Sequence, residues 1–123
     1  MADVIIFLST KTIAGKQQLY LRDSHGNNGV GSIVTKVKGG DSIFWIMDND
    51  VGMDKFEIIS SQSDECIYST KPFQISTSQW SAVIQGDLVA GIDSYDVRYT
   101  KDQKSKVNDP KLIVVPPEED IDT

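Results

Sequence analysis

The chain contains very little of what most small enzymes and metal centres depend on. Its 123 residues include one histidine, His25, and one cysteine, Cys66. A nucleophilic serine or cysteine normally needs a histidine base within reach, and a zinc site needs several Cys or His ligands. The Gly-rich motifs that cradle phosphates are absent as well. These absences predict a protein that is not an enzyme and that holds neither zinc nor a nucleotide cofactor.

The chain also lacks a long hydrophobic run and an excess of basic residues. No apolar stretch is as long as a membrane-spanning helix, which needs about 20 residues. The apolar run 4–8 is also too short for a secretory signal. Twelve Lys and Arg stand against 18 Asp and Glu, a formal net charge of -6, which disfavours contact with phosphate backbones. A single cysteine cannot form an internal disulfide. We therefore expect a cytoplasmic protein that binds neither nucleic acid nor membranes.

What the sequence does contain is a series of short strand patterns separated by Gly, Asn, Asp and Ser. The predicted strands are 3–9, 17–23, 30–38, 42–48, 55–60, 66–69, 79–85, 93–100 and 111–116. Many short strands in one domain indicate a sandwich or a barrel. The prediction is an all-β domain over 1–116, a two-sheet antiparallel Greek-key sandwich of 7–9 strands, followed by an acidic flexible tail over 117–123.

Local patterns refine this prediction. The run 43–47 does not alternate, which predicts a central strand with Trp45 buried between two sheets. Asn28-Gly29 predicts a hairpin turn, and Gly39-Gly40 predicts a second tight reversal before the central strand. The segment 76–90 is open to two interpretations, a strand or a short helix.

The acidic segment 48–57 is the best candidate for ligand chemistry. Asp48, Asp50 and Asp54 could form an oxygen cage around Ca²⁺. The spacing departs from an EF-hand, because Gly52 occupies a position where that loop needs an oxygen ligand. The alternative is a solvated turn in which Asp and Asn serve the backbone.

Two further features predict contact with a partner. The N-terminal run 4–8 has five consecutive apolar residues, more than one buried face needs, which makes Ile6 and Phe7 candidates for a protein interface. Trp80 lies between the polar residues Gln79 and Ser81, so it could form an aromatic patch for a partner or a small ligand. The other aromatic residues alternate with Ile and Val, as core residues do.

Three segments together resemble a cupredoxin-type sandwich. They are a Gly-Asp turn before a Trp-bearing strand (37–45), an Asn/Asp loop before Phe56 and Ile58 (48–58), and a closing pair of strands (95–99 and 111–115). The resemblance implies a fold but no copper, because blue copper needs a His₂Cys core and residues 100–110 contain no Cys, His or Met. The strand pattern is equally compatible with an immunoglobulin-like order.

The sequence therefore favours a non-catalytic β-sandwich that acts through its surface, as a self-assembly or protein-binding module. A homo-oligomer fits this interpretation. The alternative is a small-ligand or Ca²⁺-binding domain that uses the 48–57 segment or the Trp80 patch, and no other cofactor is predicted.

The calcium hypothesis makes a direct demand on stability. If Asp48, Asp50 and Asp54 bind Ca²⁺ in the native state, millimolar Ca²⁺ must raise the melting temperature. The rise should disappear in the double variant Asp50→Asn/Asp54→Asn. It should persist in Glu118→Gln/Glu119→Gln, which removes the same number of charges from the tail. A melting temperature that Ca²⁺ leaves unchanged would leave the segment as a solvated turn.

Overall fold

The computed structural model describes residues 2–47, 55–60, 67–101 and 104–119, and the described residues contain twelve β-strands and no helix. The strands are β1 (Asp3–Ile13), β2 (Lys16–Asp23), β3 (Asn28–Val30), β4 (Val34–Val37), β5 (Ser42–Met47), β6 (Lys55–Ile59), β7 (Tyr68–Ser76), β8 (Gln79–Ile84), β9 (Gly91–Ser94), β10 (Asp96–Lys101), β11 (Lys104–Asn108) and β12 (Lys111–Val114). The predicted all-β class is confirmed. Within the described ranges, no helix is available to cross a membrane.

One layer of the fold is a six-stranded sheet with the order β3-β2-β1-β5-β8-β7. At its centre β1 and β5 pair in parallel, with Ile5 opposite Phe44 and Phe7 opposite Ile46. The other pairs in this sheet are antiparallel. The sheet is therefore mixed rather than purely antiparallel as predicted.

The second layer combines two three-stranded sheets, β4-β12-β9 and β11-β10-β6. Ser94 lies opposite Lys111 in the first of these sheets, and Val97 lies opposite Asn108 in the second. The antiparallel pairing therefore continues from one sheet into the other without a shift in register. Between these pairs falls Pro110, which has no backbone N–H to give to the ladder. The layer is therefore continuous, with β9 and β10 forming one interrupted strand and β11 and β12 another.

The hydrophobic core fills the space between the two layers. Trp45 on β5 is completely buried and packs edge-on against Tyr95 of the second layer, with 5.3 Å between ring centroids and 66° between ring planes. The predicted burial of Trp45 between two sheets is confirmed. Other fully or almost fully buried side chains come from both layers: Val4, Ile6, Leu8, Leu19, Leu21, Ile43, Phe56, Ile58, Ala82, Ile84, Val97 and Leu112.

Two buried carboxylates connect the layers by hydrogen bonds. The Thr35 hydroxyl donates to Asp23 Oδ2 at 2.6 Å, which joins β4 to the end of β2. The Tyr68 hydroxyl donates to Asp93 Oδ2 at 2.6 Å, which joins β7 to β9. Both carboxylates lie near Tyr95, whose pKa is raised mainly by burial and further by these two charges. Hydrogen bonds to charged groups in the interior are stronger than those between neutral groups.

The turn at 39–41 forms where the sequence predicts it. Gly40 has φ 87°, a conformation that favours glycine, and a Cβ on Gly39 would lie 2.8 Å from the carbonyl oxygens of Gly86 and Leu88. The buried Asp41 carboxylate accepts hydrogen bonds from the backbone N–H of Ala2 and of Lys38. The turn thereby fixes the start of β1 beside the start of β5.

The turn predicted at Asn28-Gly29 is wrong, because these residues belong to β3. The chain reverses earlier, and the positive φ falls on Gly26. Asp23 causes this shift: its carboxylate accepts hydrogen bonds from the backbone N–H of His25 and from both the backbone and side chain of Asn27.

The predicted strand 30–38 is divided between the layers, since β3 belongs to the first and β4 to the second. The predicted strand 93–100 is likewise divided into β9 and β10, and β11 lies outside every predicted strand, so the described residues contain twelve strands rather than the 7–9 predicted. The segment 76–90 contains β8, so its strand interpretation is correct.

The described part of the acidic tail runs beside β4. Lys38 Nζ donates to the carbonyl oxygen of Pro117 at 2.9 Å, and Lys36 Nζ lies 3.5 Å from Glu119 Oε2. Residues 120–123 lie outside the described residues, and the flexibility of the tail stays a prediction.

We expect Trp45→Ala to lower the free energy of unfolding by about 3–5 kcal/mol, because it leaves a cavity between the layers. Ile92→Ala is the control, since Ile92 is 53% exposed and surface substitutions usually change stability by less than about 0.5 kcal/mol. Urea denaturation of both variants measures the difference. A loss below about 1 kcal/mol for Trp45→Ala would contradict the central position of β5.

Candidate interaction surfaces

The structure separates the two N-terminal residues predicted to contact a partner. Ile6 is completely buried in the core, so it is not available at a surface of this fold. Phe7 is half-buried and points to the opposite side of the six-stranded sheet. Asp48, Asp50 and Asp54, predicted as Ca²⁺ ligands, lie outside the described residues.

Phe7 belongs to a group of apolar side chains on the outer side of the six-stranded sheet. Between β1 and β5, Ile5 lies beside Phe44 and Phe7 lies beside Ile46. Ser81 on β8 lies between Phe44 on one side and Phe73 of β7 on the other. Partner residues in a ladder project from the same face. We call Ile5, Phe7, Phe44, Ile46 and Phe73 the outer apolar face. The first four are half-buried, and Phe73, on the edge strand β7, is 45% exposed.

Charged residues of both signs border the outer apolar face. Arg22 on β2 stacks over the Phe7 ring, with its guanidinium carbon 4.4 Å from the ring centroid. Asp3 begins β1 and projects from the same side of the strand as Ile5 and Phe7. Stacked cations of this kind cover an aromatic ring while the charge remains near water. The face is therefore apolar at its centre and charged at two of its borders.

A second candidate surface lies where the edges of the two layers come together. A groove of about 330 Å³ is lined by Ile58, Ile59, Ser60, Lys71, Pro72 and Trp80. We call it the seam groove, because β6 ends one layer and β7 ends the other. Trp80 is half-buried there and packs against the margin of the core. The structure thus places the predicted Trp80 patch in a concave site.

The indole nitrogen of Trp80 is enclosed by the protein. Nε1 of Trp80 is buried and has no hydrogen-bond partner among the described residues. A buried donor left without an acceptor costs about 1–3 kcal/mol. Trp80 therefore lowers the stability of the fold by its unsatisfied donor while its side chain lines the groove.

His25 lies in the turn that follows β2, where its backbone N–H donates to Asp23. Its Nε2 is buried and has no hydrogen-bond partner among the described residues. Cys66 lies outside the described residues. No group of three or more His, Cys, Asp or Glu residues suited to a metal ion occurs in the described ranges.

The sequence indicated only part of these surfaces. The unbroken run 43–47 predicted a strand covered on both faces, but not that Phe44 and Ile46 would share a face with Phe7. Phe73 lay outside every predicted strand, and β7 is longer than predicted. Alternation within one strand carries no information about which strands become neighbours.

No family model matches the sequence, and no curated protein matches it. One solved structure with a similar course of the chain is that of the cysteine protease inhibitor EhICP2 from Entamoeba histolytica. It is 12% identical, and the likeness covers 92% of this chain and 96% of that chain with a TM-score of 0.41. A TM-score this low supports no argument about this protein.

One acidic pair on the second layer has a titration that can be measured. Asp96 and Asp109 directly follow the last pair of the β10–β11 register, Val97 with Asn108. The main cause that raises the pKa of Asp96 is the hydrogen bond that its protonated carboxyl group donates to Asp109. Burial and the charges of Asp109 and Asp93 act in the same direction, while Arg98, 3.8 Å away, opposes them.

A raised pKa means that the pair stabilises the fold at low pH and loses this contribution as the pH rises through the raised pKa. We therefore expect Asp96→Asn to melt above the wild-type protein at pH 7, and the difference to shrink towards pH 4. Asp87→Asn, which removes one charge from an exposed loop, is the control. Thermal melts across this pH range test the expectation, and an Asp96→Asn advantage that is equal at both pH values would contradict it.

Proposed function

We propose that this protein is a non-catalytic self-assembly module whose copies associate through the outer apolar face. The observation that carries the proposal is the parallel pair β1–β5 at the centre of the six-stranded sheet, with Ile5, Phe7, Phe44 and Ile46 on its outer side. Contiguous apolar side chains outside the core of a domain mark an interaction site. The second layer covers the inner side of this pair, and a partner would cover the outer side.

The border charges favour a second copy as that partner. A two-fold axis brings the same patch of two subunits together. If a residue at one border contacts a residue at another border of the second copy, the reciprocal contact forms as well. The face has an acid, Asp3, on one border and a base, Arg22, on another, which allows opposite charges to meet across the axis. Most of the net charge of -6 must then lie elsewhere, where it would not oppose the contact.

Sheet packing gives a physical form to this contact. Two sheets pack about 10 Å apart with their side chains interdigitated. The outer side of the six-stranded sheet, with Phe7, Phe44 and Phe73, offers apolar side chains for such packing. Aromatic residues are also enriched at the centre of protein interfaces, where they contribute most of the binding energy.

We further propose that the strand order is of the cupredoxin type rather than the immunoglobulin type. In an immunoglobulin domain both sheets are antiparallel and the first strand lies at an edge of the sheet. Here β1 is internal and pairs with β5 in parallel, and β4 pairs with β12 in parallel. These pairings support the proposed order. Residues 100–110 contain no Cys, His or Met, so the proposed fold type does not include a blue-copper site.

The self-assembly proposal predicts that Phe7→Asp lowers the mass in solution. Replacing an aromatic residue at the centre of an interface should raise the dissociation constant by about 30-fold or more, equivalent to at least about 2 kcal/mol. Sedimentation velocity at several concentrations measures the change. Ile92→Asp, which places the same charge on an exposed apolar position of the second layer, should leave assembly intact.

Several outcomes would count against the proposal. A wild-type chain that sediments as a monomer at high micromolar concentration would exclude self-assembly. Dissociation by Ile92→Asp but not by Phe7→Asp would move the interface to the second layer. The near-ultraviolet circular dichroism of the protein, to which the buried Trp45 and Tyr95 contribute, reports whether each variant keeps its core.

A further inference from the structure

The chain reverses direction after its last strand and returns along β4. The backbone N–H of Val115 donates to the carbonyl oxygen of Val37, which continues the pairing of β12 with β4 beyond the strand itself. A turn follows, in which the backbone N–H of Glu119 donates to the carbonyl oxygen of Pro116 at 3.0 Å. The described part of the acidic tail ends at this turn, beside β4.

Two contacts set the direction and the spacing of the returning tail. Lys38 Nζ donates to the carbonyl oxygen of Pro117 at 2.9 Å, and Lys36 Nζ lies 3.5 Å from Glu119 Oε2. Two residues forward in the tail therefore correspond to two residues backward in β4. Extended chains advance about 3.3 Å per residue, so the same step repeated brings residue 121 to residue 34.

The two residues that this step brings together are both apolar. Val34 is 45% exposed on the outer side of β4, whereas Thr35 and Val37 are buried on its inner side. Ile121 is the one apolar residue of the segment 118–123. Contact between the two side chains removes apolar surface of both from water, which is favourable.

The charges around these two residues are complementary. Val34 has Lys36 on its own strand and Lys111 opposite it on β12. Ile121 is preceded and followed by aspartate. Opposite charges therefore draw the tail towards this side of the second layer, and the ion pair between Lys36 and Glu119 is the first contact of this kind.

We infer that the tail beyond Glu119 docks along β4 of the same chain, with Ile121 against Val34. The occupant is this chain's own segment 120–123, because Ile121 is only two residues beyond Glu119, which already lies at Lys36. The strand β4 ends its sheet, and a covered edge is less able to pair with strands of other molecules. This inference does not depend on self-assembly through the outer apolar face, which belongs to the other layer.

The methyl groups of Ile121 provide a direct readout in the full chain. Ile121→Val identifies the ¹H–¹³C signals of Ile121 by their loss. We expect nuclear Overhauser contacts between the methyl groups of Ile121 and Val34. We also expect the Ile121 signals to differ in position from those of a free peptide with the sequence of residues 116–123. Ile121 signals at the free-peptide position in the wild-type protein would overturn the inference.

Val34→Asp should release the tail, because it replaces the apolar contact with a charge of the same sign as the tail. The Overhauser contacts of Ile121 should then be lost, and its signals should move to the free-peptide position. Ile92→Asp is the matched control, since Ile92 is 53% exposed on β9, at the opposite edge of the same three-stranded sheet. Release of the tail by both variants alike would contradict a specific contact with Val34.

A mixture of ¹³C-labelled and unlabelled protein distinguishes docking within one chain from docking on a second copy. An isotope-filtered experiment on this mixture detects only contacts between copies, and we expect it to show none between Ile121 and Val34. A contact that appears in the filtered spectrum would overturn the inference, because the tail would then dock on another molecule.

Discussion

The contact between Trp45 and Tyr95 is the interaction on which the rest of the fold depends. These two rings, each completely buried, are the largest side chains of the core, and they belong to opposite layers. Their packing sets the distance at which Asp23 meets Thr35 and Asp93 meets Tyr68. Displacing either hydroxyl donor would lower the stability of the fold by more than the lost hydrogen bond, because the buried carboxylate would remain without a partner. The layers are therefore held in one register by an aromatic contact at the centre and by charged hydrogen bonds beside it.

The same constraint explains why the two candidate surfaces lie where they do. The parallel pair β1–β5 directs Trp45 and Ile6 inward, and the alternation of side chains then directs Phe44 and Phe7 outward. This strand pair is apolar on both faces, and a single second layer can bury the side chains of only one of them. The seam groove has a related origin: Trp80 is directed inward beside Trp45, but it lies near the margin of the sandwich, where β6 and β7 end the two layers.

The core and the proposed assembly surface lie on opposite faces of the six-stranded sheet. The inner face of the sheet carries the core, and substitutions there should affect folding. The outer side carries side chains that are only partly buried, and the proposed function places the effect of substitutions there on association. The edge strand β7 contributes to both surfaces, and its Pro72 and its three register irregularities are features that hinder uncontrolled pairing of an exposed sheet edge.

The sequence by itself determined the class of the fold, the burial of Trp45 and the turn at Gly39-Gly40, because each depends on residues close together in the chain. Alternation, apolar runs and glycine pairs act over a few residues. The tertiary structure alone decided that the reversal near residue 28 occurs at Gly26, since this depends on the Asp23 carboxylate and on Thr35 from the other layer. It also decided that Ile6 is buried whereas Phe7 joins Ile46 and Phe44, and that Trp80 lines the same groove as Lys71 and Ile58. Strand neighbours are set by the packing of the whole domain, and no local pattern specifies them.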